Sequence, residues 1–419
     1  MRALVLTASL CVGIAASAAA QAPTTPPPPP RTSGSTEPVG GLLPEPRALG
    51  KAVDYVDHWV GDDSESKDGF YPSIGGLITG AGWISGGPGF RKHFHDGQIF
   101  VDGAAQVSWR GYKVGQARFE LPRLVGDRLT VGSQARWQDF TQIEYFGIGA
   151  DSLEAGRSVY RLKDTDVLGY ASYRANDWLS VGGRSGWLRH PSLGASSGPF
   201  KRGFPEALDV FPQDPGMGQT PDFLHGDVSV TADTRDHRGH PTSGGFYRAV
   251  AGVYSDRDLD QFTFRRYEAE GVQLVPVVGK SWVLAFHGWG VFSETSSGNE
   301  VPFYFLPSLG GQNTLRGYNS YRFHDRNLLM ASAESRWALF RHIDGAVFFD
   351  AGNVGARVGD LDLKKTSYGA GLRLHTQRST LGRVDVGHGT EGWRVWFRLD
   401  DPLQLARRAP REEIVPFAP

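Results

Sequence analysis

The sequence is almost without thiols: it has 419 residues and one cysteine, Cys11, which lies within residues 1–20. Disulfide scaffolds, cysteine nucleophiles and cysteine-ligated metal centres are therefore excluded from the rest of the chain. An excess of either charge is also missing. With a formal net charge of -1 the chain carries no electrostatic footprint for nucleic acid. Beyond the leader, no uninterrupted apolar run reaches the roughly 18 residues of a membrane helix, which excludes helical spans. What the chain has is glycine, 55 residues, about twice ordinary usage, and 12% aromatic residues. Its length could hold two soluble domains, but this composition suits one large all-β body equally well.

Met1 and Arg2 give a positive start, Ala3 to Ala16 a mostly apolar stretch, and Ala18, Ala19 and Ala20 a small-residue cleavage site before Gln21. Residues 1–20 thus read as a secretory signal peptide, and export is expected. Cys11 follows Ala8, Ser9 and Leu10, without the small residue that precedes a lipidated cysteine, which argues against lipoprotein processing. Residues 21–50 form a proline-rich linker, because Pro26 to Pro30 permit only polyproline II or disorder. Residues 51–72 hold a short helix and a polar segment. Leu49, Val53, Val56 and Val60 recur at helical spacing through Arg47 to Val60, and the acidic stretch from Asp62 to Asp68 follows. This helix either crosses a barrel opening or rides on the surface of the linker.

From residue 73 the period changes to two. Between Gln98 and Arg110 one face carries Ile99, Val101, Ala105, Val107 and Trp109, and the other Asp102, Gln106, Ser108 and Arg110. Ala117, Phe119 and Leu121 oppose Gln116, Arg118 and Glu120; Leu129, Val131, Ala135 and Trp137 oppose Gln134, Arg136 and Gln138. Toward the C-terminus the polar face collects full charges. Glu334 and Arg336, Asp350, Arg373, Arg383 with Asp385, and Arg394 with Arg398 all stand opposite apolar rows such as Trp393, Val395 and Phe397. A soluble sandwich alternates too. Three features favour a transmembrane antiparallel β-barrel over residues 73–400: strands of about ten residues or more, tryptophans near the ends of the apolar faces, and the leader on an otherwise cysteine-free chain. About fifteen strands can be placed, and an even count is required if both ends lie on one side, so about 16 are expected, with the missing strand between Phe70 and Phe94. Residues 401–419 form a C-terminal tail.

The segment from Pro307 to Tyr318, with the core Arg316-Gly317-Tyr318, resembles the sixth extracellular loop of the bacterial surface antigen family of outer-membrane assembly and translocation barrels. Glu334-Ser-Arg336, Phe348-Phe-Asp350-Ala-Gly352 and Tyr368-Gly-Ala-Gly-Leu-Arg373 follow in the family's order, and Tyr145 to Ser152 and Asp233 to Asp236 are earlier landmarks. The resemblance spans roughly residues 70 to 400. It implies a loop inserted in the lumen, with Arg316 paired to Asp350 and Glu334 nearby on the inner wall. A guanidinium in a partly desolvated lumen needs a carboxylate, and parity points both acids inward. Gly317 would let the backbone turn sharply beside the arginine. The resemblance also implies a weak seam between first and last strands, to which Gly75, Gly76, Gly80 and Gly82 would contribute, and local membrane thinning. Residues 21 to about 72 leave no room for a periplasmic polypeptide-transport-associated (POTRA) repeat, so a member without such repeats is expected. Phe397 would replace a terminal aromatic as an internal assembly signal.

No catalytic constellation stands out. His93 with His95, and His237 with His240, lie in turns, where scattered histidines are commoner than metal sites, and no third ligand is spaced for them. Neither a metal nor a cofactor is expected. The stretch from Pro191 to Asp222, with Phe200, Phe204 and Phe211, reads as an external loop that covers the pore or meets a partner. The resulting expectation is a non-enzymatic barrel of the bacterial outer membrane, acting noncovalently in insertion or translocation of proteins or lipids. Its partners would be outer-membrane lipids and a periplasmic partner or secreted client. The alternatives are a passive pore for small solutes and a barrel enzyme.

Overall fold

The computed structural model describes residues 41–398 apart from 48, 52, 54–67, 75–77, 79–81, 201–202, 238–239 and 377–379. The signal peptide, most of the linker and of the expected helix, Gly75, Gly76, Gly80, Leu399 and the tail 401–419 lie outside the described residues. Of the expected helix, residues 47, 49–51 and 53 are described, and they are helical.

The strands are β1 (Gly69–Ile74), β2 (Ser85–Phe94), β3 (Ile99–Ser108), β4 (Lys113–Leu124), β5 (Leu129–Tyr145), β6 (Ser158–Arg174), β7 (Leu179–Gly194), β8 (Phe223–Asp233), β9 (Gly244–Asp256), β10 (Phe264–Val278), β11 (Trp282–Thr295), β12 (Ser308–Leu309), β13 (Phe323–His324), β14 (Asn327–Phe340), β15 (Ile343–Gly355), β16 (Lys365–His375), β17 (Thr380–Gly389) and β18 (Gly392–Arg398). All but β12 and β13 form one 16-stranded antiparallel sheet in which each strand pairs with the next in the chain. The interval from Phe70 to Phe94, where one unplaced strand was expected, holds β2 and most of β1, which begins at Gly69, ahead of the expected barrel start at residue 73. β12 and β13 pair with each other inside the long connection from β11 to β14.

Burial runs opposite to that of a soluble sandwich. Asp102, Gln106 and Ser108 on β3 and Gln134, Arg136 and Gln138 on β5 are buried, whereas Val107 and Trp137 are exposed. On β18, Trp393, Val395 and Phe397 are 62%, 70% and 60% exposed. Water would penalise such apolar rows at roughly 25 cal/mol per Å², whereas acyl chains accept them, so the apolar face is the lipid face and the charged face lines an interior. The sheet curls enough for distant strands to meet across that interior, as Arg394 on β18 does with Glu154 after β5, at 2.9 Å. Neighbouring strands satisfy one another's backbone groups along the sheet, and among the described residues no ladder joins β1 to β18.

Short turns join strands at one end, for example 341–342, and long connections such as 195–222 and 296–326 join them at the other. With an even strand number, the chain enters and leaves at the short-turn end. There Leu42 and Leu43 donate backbone hydrogen bonds to Ala338 and Leu339 on β14 (2.9 and 2.8 Å), and Glu45 accepts from the His342 backbone N–H at 2.9 Å.

Toward the long-loop end the interior is aromatic. Phe303 lies 4.9 Å from both Tyr145 and Tyr160, and Phe305 lies 5.1 Å from Phe223 and 5.7 Å from Tyr254 and Phe264 (ring centroids). The 195–222 connection joins this cluster through Phe211 on Tyr145, at 5.3 Å, and through the Pro215 carbonyl, which accepts from the Phe303 N–H at 2.8 Å.

Candidate functional site: a loop seated on the inner wall

The connection 296–326 reverses on itself. β12 and β13 zip its base, and Gly310 and Gly311 turn the chain with φ of 115° and 92°, values that side chains resist. Leu309, Leu315, Tyr318 and Phe323 then pack with Val291, Leu328, Met330 and Val354 from β11, β14 and β15. This apolar cluster anchors the loop and presents Arg316 to the wall.

Arg316 is held on several sides. Its Nε donates to Asp350 Oδ2 (3.0 Å) and Nη2 to Asp350 Oδ1 (2.7 Å), a two-pronged grip that a lysine cannot make. Nη1 donates to Glu334 Oε2 at 2.6 Å, and its backbone N–H to Asp350 Oδ2 at 3.1 Å. The guanidinium lies 3.4 Å over the Phe348 ring. Ser332 and Ser367 donate to the two oxygens of Asp350 (2.7 and 3.0 Å), so the carboxylate, fully buried at 0% exposure, is saturated with donors.

The further charges extend this network along the wall. Glu334 also accepts from Arg336 (2.8 Å) and Arg373 (2.9 Å), and Asp385 bridges Arg373 (2.7 Å) to Arg383 (3.2 Å). Arg383 returns to the loop through Asn313 Oδ1 at 2.6 Å. Arg394 donates to Asn319 Oδ1 (3.2 Å) and to Glu154, while Arg398 stands in register with Arg383 across β17 and β18. Arg316, Arg336, Arg373, Arg383 and Arg394 each face a carboxylate or amide, which is the condition for holding charge away from bulk water.

The backbone does turn at Gly317, where the Tyr318 N–H donates to the Leu315 carbonyl at 3.1 Å, but the glycine serves a further purpose there. Its φ is not in the left-handed region; instead a Cβ there would fall 2.4 Å from the Gly389 nitrogen and 2.5 Å from the His388 carbonyl carbon. A Cβ on Gly387 would meet the Arg316 oxygen at 2.6 Å, and one on Gly389 the Tyr318 ring at 2.9 Å. The loop tip is thus laid backbone against backbone on a glycine track of β17. Gly82, expected to weaken the seam, is a packing glycine: a Cβ there would meet Ile78 at 2.9 Å and Tyr112 at 3.0 Å.

Residues outside the motif also hold the loop. Trp396 of β18 donates from Nε1 to the Arg316 carbonyl at 2.8 Å, so one residue of the loop touches both the network and the last strand. Its signal in the sequence is a tryptophan on the polar face between Arg394 and Arg398. Tyr318 Oη lies 3.0 Å from Thr390, and Arg322 donates to Glu391 (2.8 Å) and to Ser152 in the β5–β6 connection (2.9 Å).

Among known proteins, the Omp85 superfamily domain matches residues 100–385. BamA from Haemophilus ducreyi lacking POTRA domains 1–3 is similar in structure, with a TM-score of 0.57 and 15% identity over 79% of this chain and 69% of that one. CdiB from Escherichia coli and CdiB from Acinetobacter baumannii align over 79% of this chain at 14% and 12% identity, with TM-scores of 0.49 and 0.48. The chain spans 60% and 58% of their lengths. None of the curated proteins matches. A family match over more than half the sequence, on a 16-stranded sheet with a lipid-facing exterior, shows that this chain belongs to the Omp85 superfamily of bacterial outer-membrane β-barrels.

Proposed function

We propose that the protein is a non-enzymatic insertion or translocation barrel, in which the loop 296–326, locked by Arg316 on Asp350 and Glu334, governs access between the lumen and the strands beside β18. The observation that carries this reading is the double attachment of Arg316: its guanidinium on β14 and β15, its carbonyl on Trp396 of β18. Movement of the loop and movement of the last strand are then coupled. The substrates would be polypeptide or lipid, met noncovalently, with outer-membrane lipids and a periplasmic partner or secreted client as partners.

The charged wall favours a second reading, a passive pore for small solutes; the aromatic packing around Phe303 and Phe305 opposes it, because it fills the interior toward the long-loop end. Planar-bilayer recording of pure protein separates the two. The locked-loop reading expects little steady conductance from the wild type, and larger, fluctuating conductance from Arg316→Ala and Asp350→Ala. A steady wild-type conductance that neither substitution alters would favour the pore.

A further inference from the structure

At the periplasmic, short-turn end, three residues distant in sequence converge: His240 in the β8–β9 turn, Asp344 at the start of β15 and His375 at the end of β16. His240 Nε2 lies 3.3 Å from Asp344 Oδ2 and His375 Nε2 lies 3.2 Å from Asp344 Oδ1. The imidazoles stack, with centroids 3.8 Å apart and planes 7° from parallel, and one donor atom from each residue lies within 4.8 Å of the others. Bonds of about 2.0–2.2 Å to a tetrahedral ion set neighbouring ligand atoms roughly 3.4 Å apart. The two nitrogen-to-oxygen spacings, 3.3 and 3.2 Å, each to a different oxygen of Asp344, lie close to that value.

The outer nitrogens are supported as well. His375 Nδ1 lies 2.8 Å from the Thr376 carbonyl, and His240 Nδ1 3.4 Å from Thr380 Oγ1. A proton held at Nδ1 by a carbonyl leaves the Nε2 lone pair for a ligand bond, the usual arrangement behind a metal-binding histidine. The neighbouring Arg336 directs its Nε to Glu334 at 2.8 Å, which offsets its charge near the cluster.

We propose that His240, Asp344 and His375 bind a divalent transition-metal ion of the Zn²⁺ class, tying the β8–β9 turn to β15 and β16 across the periplasmic mouth. Two imidazoles and one carboxylate suit Zn²⁺ and its neighbours, whereas Mg²⁺ and Ca²⁺ take oxygen ligands. With three protein ligands a fourth position is left for water or a donor from another molecule. The sequence conceals this site because it pairs His240 with the adjacent His237, and the two true partners are set only by how the sheet curls. His237 is instead engaged through its backbone N–H, which donates to Asp236 Oδ1 at 3.0 Å.

The test uses untagged, detergent-purified protein stripped with a chelator, titrated with Co²⁺ as a visible-absorbance probe and then with Zn²⁺ in competition. The wild type is expected to bind one equivalent, displaced by Zn²⁺. His240→Ala and His375→Gln should weaken binding beyond the roughly 10–100-fold cost of losing a supporting partner, while His237→Ala binds as the wild type does. Heat-modifiable migration in gels verifies that each variant is folded, and His240→Ala, in a turn, carries the test should a strand variant fail to fold. No uptake by the folded wild type, or equal uptake by folded His240→Ala, would overturn the site and leave a histidine–carboxylate ion-pair cluster.

Discussion

Arg316 is where charge, shape and backbone approach coincide. Truncating it leaves the buried Asp350 without its guanidinium, while Glu334 keeps Arg336 and Arg373; breaking a buried pair costs about 3–5 kcal/mol, drawn here from the seated loop rather than from the barrel ladders. Arg316→Ala and Asp350→Ala should therefore make the loop accessible to external protease, and the double variant should be less impaired than the sum of the two. Arg316→Lys should resemble Arg316→Ala, since one ammonium cannot span both oxygens of Asp350 and reach Glu334; full protection in Arg316→Lys would contradict the two-pronged grip. Gly317→Ala should release the loop as well, at about 1–3 kcal/mol of overpacking, because the opposing Gly389 and His388 atoms are backbone and cannot turn away. Much of this was legible: strict alternation fixes that Glu334, Asp350, Arg373 and Asp385 share a face, and the Arg-Gly-Tyr motif points to them. The role of Gly317 and the part played by Trp396 were not, because each depends on which strand lies opposite the loop, which alternation cannot state.

At the scale of elements, alternation was informative where strands are long and regular, and weak at both ends of the sheet. β1 and β18 are the short strands, of 6 and 7 residues, against 17 in β5 and β6. Pro72 stands in register with Pro88, neither of which carries a backbone donor, the β2–β3 register skips residues 87 and 88, and Gly86, Gly87 and Gly89 add little packing. Hydrogen exchange should therefore be fastest in β1, β2 and β18 and slowest in β5, β6, β10 and β11; uniform protection would remove the weak-edge argument. In the β8–β9 turn, burial raises the Asp236 carboxyl but hydrogen bonds from Thr242 and from the N–H groups of Ser243 and His237 outweigh it, holding it below the usual carboxylate range. A depressed pKa stabilises the turn above the unfolded value of about 3.9 and loses that stabilisation as pH falls through the folded value. Protection at 242–245, taken relative to the intrinsic exchange rate at each pH, should fall in acid below about pH 4, and Asp236→Asn should flatten that dependence.

The molecule as a whole is a barrel whose interior is divided: an ionic wall along β14 to β17 and an aromatic plug toward the long-loop end. The sequence disclosed the sheet, its parity and its lipid face, because those follow from local period. It did not disclose the plug, because Phe303, Tyr304 and Phe305 sit in a connection without period and meet Tyr145, Tyr160 and Phe223 only after the sheet curls. Replacing Phe303 and Phe305 together by alanine should raise bilayer conductance even with Arg316 intact, which would separate plugging from locking. The most direct test of the account is the position of the loop itself. Spin labels at Thr314 and at the outward-facing Val386, with Cys11 absent, should give one narrow distance distribution in the wild type and a broad one in Asp350→Ala. A broad distribution in the wild type, or an unchanged narrow one in Asp350→Ala, would contradict the claim that this ion network holds the loop in place.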